Sequence, residues 1–269
     1  MLVGNVAPLS KEPVTNIEVH ILCQKRDVWM LIWALYTFLY HSKLSPKIVI
    51  HDDGSFDSPS ETALTKIFPH IEILSKEKAD IRIAARNDIP SSIKEYRNIK
   101  NKLSLKLVDI FLLSEAEYVL VLDSDILFYD PPNEIIDFVS QKNAHDAVIS
   151  WSPLTYPLSS SESYNSRHDL IQKGILNMNS GIIAYKKKAL TLESFLEYFE
   201  NLSNPNDYFS EMTGWNALVA QSNFDFLPRE KYIVKGDVQK GVVTKHFTSP
   251  RRFEMFAYGI DLARSYLRH

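Results

Sequence analysis

No stretch of this chain constrains its fold more than Tyr118–Pro132, YVLVLDSDILFYDPP. Tyr118–Leu122 lies between polar flanks and predicts a strand buried on both faces. It ends in Asp123 and Asp125, one serine apart. In extended backbone, residues i and i+2 project to the same side, so the two carboxylates can converge on one cation or polar ligand. Asp130-Pro131-Pro132 marks a nearby turn, and a solvated turn alone would account for two acids. Against that, Ile126, Leu127 and Phe128 carry the apolar run on past them. Carboxylates flanked by buried residues are costly unless paired or metal-bound. The pair also falls at the carboxyl end of a strand, where open α/β sheets bind ligands.

The upstream segments predict the sheet that holds this strand. Residues 1–16 read as a leader, Ile17–Cys23 as a first strand, Asp27–His41 as a helix and Lys47–His51 as a second strand. That order implies a parallel pair with a right-handed crossover. The second strand runs into His51-Asp52-Asp53-Gly54-Ser55, where turn chemistry alone explains Asp, Gly and Ser. Its place at a strand's carboxyl end offers Asp52 and Asp53 for a base or ribose. Glu61–Phe68 suggests a helix and Ile71–Leu74 a strand. Asn101–Leu113 has helical spacing, with Leu103, Leu107, Ile110 and Phe111 on one side and Lys102, Lys106 and Asp109 on a polar face.

Beyond the turn, Asn133–Ser140 predicts a helix, Ala147–Trp151 a strand and Ser152–Gly174 a long polar loop of the kind used for lids or binding. Ile175–Tyr185 returns to strand character around Asn179-Ser180-Gly181, where the glycine marks a bulge or a close approach. Thr191–Leu202 and Glu211–Gln221 suggest helices. Gly241–Arg252 is a strand-like run delivering His246, then Thr248, Ser249, Arg251 and Arg252, a combination suited to oxyanions.

The chain's 269 residues suffice for one large α/β domain. Its net charge of −3 is unevenly spread: Arg82–Lys106 and Arg229–His269 are basic, and the remainder is acidic. Folded toward the aspartates, the basic segments would make a pocket for phosphates; otherwise they are solvated surfaces. No nucleic-acid partner is expected. Cys23 is the one cysteine, so a reducing, cytoplasmic setting is expected. Met1–Val14 lacks the apolar core of a signal peptide. Val28–Tyr40 is uncharged but shorter than the ~20 residues of a membrane span, so it predicts a core helix, with peripheral membrane contact the lesser alternative.

Several chemistries lack their motifs: there is no GxGxxG, GxSxG, HExxH or CxxC. Gly236 and Gly241 have P-loop spacing without the following Lys-Ser/Thr. Carboxylates, a histidine and basic side chains are what remain.

In chain order, HDDGS at 51–55, a basic helix, LDSD at 122–125, NSG at 179–181 and KHF at 245–247 resemble a GT-A-fold glycosyltransferase with a DxD motif using a nucleotide-sugar donor. The likeness runs from about Ile17 to Arg252, within a single catalytic domain at 17–269. Residues 17–130 would be its nucleotide-binding half, and 131–269 its acceptor half with the basic C-terminal segment. The resemblance implies a Rossmann-type, mostly parallel mixed sheet flanked by helices. It implies that Asp125 binds a divalent cation, with Asp123 on the metal or ribose, Ser124 between them in the donor site, and His246 a late ligand. A histidine ligand suits Mn²⁺ better than Mg²⁺. Asp53 or Asp52 would hold the nucleoside, Lys102 and Arg251 the diphosphate, and Asn179 with Gly181 the donor sugar. A UDP-sugar is the default donor; the acceptor is an unknown glycan, protein, lipid or small molecule. Where related enzymes often carry an acidic pair on the acceptor helix, this chain has Trp215-Asn216, and Glu211 is the candidate base for inversion. Retention would need no base and leave Glu211 as a helix cap.

Three other readings compete. LDSDIL approximates the nucleophile motif of haloacid-dehalogenase-type phosphatases, which normally opens its domain and is followed by a late acidic pair. Here about 120 residues precede it, and Asp225, Asp237 and Asp261 lie far apart. A nucleotidyltransferase would need a glycine-rich first loop, which Cys23-Gln24-Lys25-Arg26 is not. A catalytically inactive module would use the aromatic stretches to recruit a partner.

Overall fold

The computed structural model describes residues 13–249 and 251–267. Ten strands run in order: β1 Val14–Cys23, β2 Pro46–Asp52, β3 Glu72–Leu74, β4 Tyr118–Leu122, β5 Ile126–Phe128, β6 Ala147–Trp151, β7 Met178–Lys186, β8 Phe224–Phe226, β9 Tyr232–Ile233 and β10 Thr244–His246. Among the described residues they build a seven-stranded sheet ordered β3-β2-β1-β4-β7-β6-β8 and a three-stranded sheet ordered β5-β10-β9. β3, β2, β1 and β4 are parallel, and β7 runs antiparallel to both β4 and β6.

Among the described residues, eleven α-helices cover the sheets: α1 Val28–Ser42, α2 Ser58–Ile67, α3 Lys76–Ala84, α4 Ser91–Arg97, α5 Leu103–Leu113, α6 Asn133–Val139, α7 Glu162–Arg167, α8 Leu192–Glu200, α9 Ser210–Ala220, α10 Arg252–Glu254 and α11 Ile260–Tyr266. β4 divides its side chains between two cores. Tyr118, Leu120 and Leu122 join the one that contains α1, while Val119 and Val121 join the one built on α5, α8 and α9. That is why its sequence is an unbroken apolar run. Among the described residues no helix is long and apolar enough to cross a membrane.

The first strand starts at Val14, pairing with Pro46, so the end of the expected leader belongs to the sheet; residues 1–12 lie outside the described chain. The long polar loop is shorter than its composition suggests. Ser161 caps α7 by accepting the Tyr164 N–H, and Tyr164 and Leu170 are fully buried. Helices α3 and α4 lie in the charged segment, where polar residues mask the helical period. Ser75 caps α3, and Arg97 on α4 is buried against Asp80 and Asp109. The polar face expected on α5 is not solvated either: Lys106 and Asp109 are each 2% exposed. Each is matched by an opposite charge from another element, which sequence spacing does not report. Among the described residues of Gly241–Arg252, only Thr244–His246 pairs as a strand.

Candidate active site

The aspartate turn is pinned by both sheets. Where β4 ends, the Asp123 N–H donates to Gly181 O at 2.9 Å; two residues on, Asp125 O accepts the Phe247 N–H at 2.8 Å. β10 runs antiparallel to β5 with His246 opposite Ile126. That register sets the late histidine beside the second acid, although 121 residues separate them.

His246 Nε2 lies 3.0 Å from Asp125 Oδ1 and 3.5 Å from Asp123 Oδ2. One ligand atom from each of the three residues falls within 4.8 Å of the others. The other imidazole nitrogen, Nδ1, is 3.0 Å from Asn179 Oδ1, and that oxygen also accepts the Gly181 N–H. An oxygen already accepting from the backbone requires Nδ1 to carry the proton. Nε2 is then the nitrogen that faces the two carboxylates: protonated it pairs with them, and deprotonated it offers its lone pair to a cation between them. Two carboxylate oxygens and one imidazole nitrogen fit a divalent transition ion, manganese better than magnesium. Gly181 permits this approach, because a Cβ there would stand 2.5 Å from His246 Nδ1 and 2.8 Å from Asn179 Oδ1.

Two cations complete the cluster. Lys106, buried on α5, sends Nζ to Asp123 Oδ1 at 2.7 Å, to Ser180 O at 2.9 Å and to within 3.3 Å of Glu211 Oε1. Arg252 Nε donates to Asp125 Oδ2 at 2.8 Å, and its Nη1 lies 3.0 Å from Asp27 Oδ2. Asp123 and Glu211 thus meet Lys106, and Asp125 and Asp27 meet Arg252, with Arg26 3.8 Å from the other oxygen of Asp27. Burial would raise the Asp125 carboxyl, but the His246 imidazole and Arg252 guanidinium outweigh it and hold it below the usual range. Burial would lower the Lys106 ammonium, and Asp123 and Glu211 overcome that, so it stays charged. For Glu211, burial prevails over Lys106 and raises its pKa.

The remaining sequence candidates fall around this centre. Asp52 Oδ1 accepts N–H groups of Gly54, Ser55 and Phe56 and so holds its own turn. Asp53 Oδ1 accepts only the Ser55 N–H among the described contacts. Ser124 is buried between the two acids. Glu211, 3% exposed at the start of α9, meets Ser180 Oγ at 3.3 Å, while its Oε1 lacks a partner of hydrogen-bond geometry. Lys102 is exposed at the start of α5, and Lys106, one turn later, is the lysine that reaches the acids. Arg251 faces Glu254 at 3.8 Å, while its neighbour Arg252 takes the place beside Asp125. Sequence reasoning gave no site role to Lys106, Ser180 or Asp27, and of the two arginines suited to oxyanions it set Arg251, not Arg252, in the site. For Lys106 the available signal was a lysine between Leu105 and Leu107 in a helix whose one other charged residue is Asp109.

Solved glycosyltransferases share this architecture. The galactosyltransferase LgtC, solved with donor and acceptor sugar analogues, is 12% identical with a TM-score of 0.54, covering 93% of this chain and 95% of its own. The bifunctional glycosyltransferase WbbM is 13% identical with a TM-score of 0.59 over 97% of this chain, which spans 51% of WbbM. Mouse xyloside xylosyltransferase 1 is 10% identical with a TM-score of 0.52, over 87% of this chain and 98% of its own. No family sequence model and no curated protein sequence matches the chain. The fold is therefore GT-A: a mixed, mostly parallel sheet flanked by helices, with a DxD-type pair, Asp123 and Asp125, at the end of β4.

Proposed function

We propose that this protein is a metal-dependent glycosyltransferase that moves a sugar from a nucleoside-diphosphate sugar, with UDP the proposed carrier, to an acceptor hydroxyl. The observation that carries the reading is the meeting of Asp123, Asp125 and His246 at the carboxyl end of β4, with the His246 tautomer fixed by Asn179. Asp125 and His246 would hold the ion, Mn²⁺ in preference to Mg²⁺, with Asp123 completing the set. A bound divalent ion supplies charge stabilisation to the departing diphosphate. In the reaction the bond from the anomeric carbon to the diphosphate oxygen breaks with its electrons staying on the diphosphate. A bond to the acceptor oxygen forms, and the acceptor loses its proton.

The protein's own groups prepare this step. Lys106 places a fixed positive charge beside Asp123. Asp53 is the proposed contact to the nucleoside, since Asp52 is spent on its turn. Exposed Lys102 and half-buried Arg251, each next to a residue of the cluster or one turn from it, are proposed to reach the diphosphate. Asn179 and Gly181 would border the donor sugar. Under inversion Glu211 is the proposed base, made more basic by burial. Its contacts with Lys106 and Ser180 favour a second reading, retention, in which Glu211 holds Lys106 in place. The anomeric configuration of the first-formed product separates the two. The acceptor is proposed as a glycan, protein, lipid or small molecule. The setting is proposed to be cytoplasmic, with the lone Cys23 free and buried.

Incubating a panel of nucleotide sugars with Mn²⁺ tests the reading through slow sugar release. Asp125→Asn is expected to lower that release at least a hundredfold, on the order of the loss seen when transition-state charge stabilisation is removed, and to abolish manganese-dependent nucleotide binding. Full turnover in this variant would refute the assignment. Release of phosphate from simple esters would favour a phosphatase, and neither activity would favour a binding module.

A further inference from the structure

Asp27 is an acid in a helix-capping position that does no capping. It occupies the N-cap of α1, yet its side chain accepts no N–H from the first turn, where an aspartate ordinarily would. Its carboxylate turns instead to Gln24 Nε2, at 2.9 Å, and to Arg252 Nη1, at 3.0 Å from the same oxygen. It is buried. Arg252 in turn donates Nε to Asp125 Oδ2 at 2.8 Å, on the opposite oxygen from the one beside His246. The guanidinium is thus a rigid fork between two buried carboxylates, one that faces the cation site and one that does not.

We propose that Asp27 is a positioning residue of the cation site, acting through Arg252 to orient Asp125 and to set how tightly it holds a divalent ion. The proposal rests on the cation reading given above. The physical reason is competition. A lone Arg252 would pair fully with Asp125, and an arriving divalent ion would have to displace or share that pairing. Asp27 gives the guanidinium a second counterion, so Asp125 keeps a free oxygen and its full charge. It also adds a negative charge to the cluster. Both effects strengthen metal binding, and both vanish without the Asp27 carboxylate. Partners of metal ligands typically change affinity 10–100-fold when removed.

The test is Mn²⁺ affinity, measured by titration with free-ion detection in the presence of UDP, for the full chain and its variants. Asp27→Asn is expected to weaken binding about tenfold, at the low end of that range. Asp27→Ser should do the same while restoring a good cap to α1, which keeps the comparison valid should the asparagine variant fold poorly. In an Arg252→Gln background the link is cut, and Asp27→Asn should then cost several-fold less than in the parent. Unchanged Mn²⁺ affinity in both Asp27 variants, or an equal loss with and without Arg252, would overturn the proposal. A parent protein that takes up no Mn²⁺ would overturn the cation reading itself and this proposal with it.

Discussion

Glu18 shows how much one side chain can organise away from the site. It lies on β1, with side chain 3% exposed, and accepts N–H groups from Glu115 and Ala116 while pairing with His20 and Lys47. Burial would raise its carboxyl, but the His20 contact and the two backbone N–H groups prevail and hold it well below its ordinary 4.5. The folded pKa is depressed, so its stabilisation is present above pH 4.5 and is lost as the pH falls below that. Buried His20 and His51 act earlier. Burial lowers their pKa values, so the unfolded chain takes up protons first below the ordinary 6.5 and stability declines from there. Glu18→Gln should cost about 2 kcal/mol at neutral pH and shrink the second phase of acid destabilisation, to which Asp125 also contributes, while enlarging the first, because Glu18 supports the protonated His20. Urea unfolding across pH 3 to 7, as a rough working range for carboxyl and imidazole titration, checks this, and an unchanged acid limb would contradict it. At this scale the reading from sequence divides sharply. Asp123 and Asp125 stood out because two acids after an apolar strand are chemically unusual, His246 entered as a ligand candidate through the resemblance, and the structure brings the three together. Lys106 and Arg252 did not stand out, since choosing them over Lys102 and Arg251 depends on which way a helix faces.

Helices and strands were easier to read wherever one face is apolar. Strand β4 and helix α5 follow from their periods, and both carry residues of the site. Helices α3 and α4 were hidden because their polar side chains are matched in space: Arg97 of α4 meets Asp80 of α3 and Asp109 of α5. The junction of β7 and β10 is the element pair on which the cation site depends. A methyl at Gly181 would stand 2.5 Å from His246 Nδ1, and the obstruction is ring and amide, not a flexible tail. Gly181→Ala should therefore cost about 1–3 kcal/mol and push the imidazole out of register with Asp125. The readout is the thermal shift induced by Mn²⁺ with UDP, expected to disappear while the cooperative melt persists. A full shift in this variant would mean that His246 is not a ligand.

Across the whole molecule, the described residues before and after Asp130 share one sheet. β4 from the first half pairs with β7 of the second from Tyr118↔Lys186 to Leu122↔Ile182. Each strand also contributes side chains to both cores. The chain is therefore expected to unfold as one unit, with calorimetric and van't Hoff enthalpies in agreement. A saturating donor nucleotide with Mn²⁺, at about 100 times its dissociation constant, should add about 2.7 kcal/mol. Two separate melting transitions would show that the halves fold independently.

By itself the sequence determined the α/β class, the position of the acidic pair and most of the strands, because those follow from local periodicity and from the cost of burying charge. Only the tertiary structure decided which cations answer those acids. Lys106, Arg252 and Asp27 are drawn from three separate elements, and the burial of Lys106 and Asp27 is tolerable because opposite charges from elsewhere in the chain meet them. Such long-range charge balance leaves no local trace in a chain, since each member taken alone looks like one more polar residue on a surface.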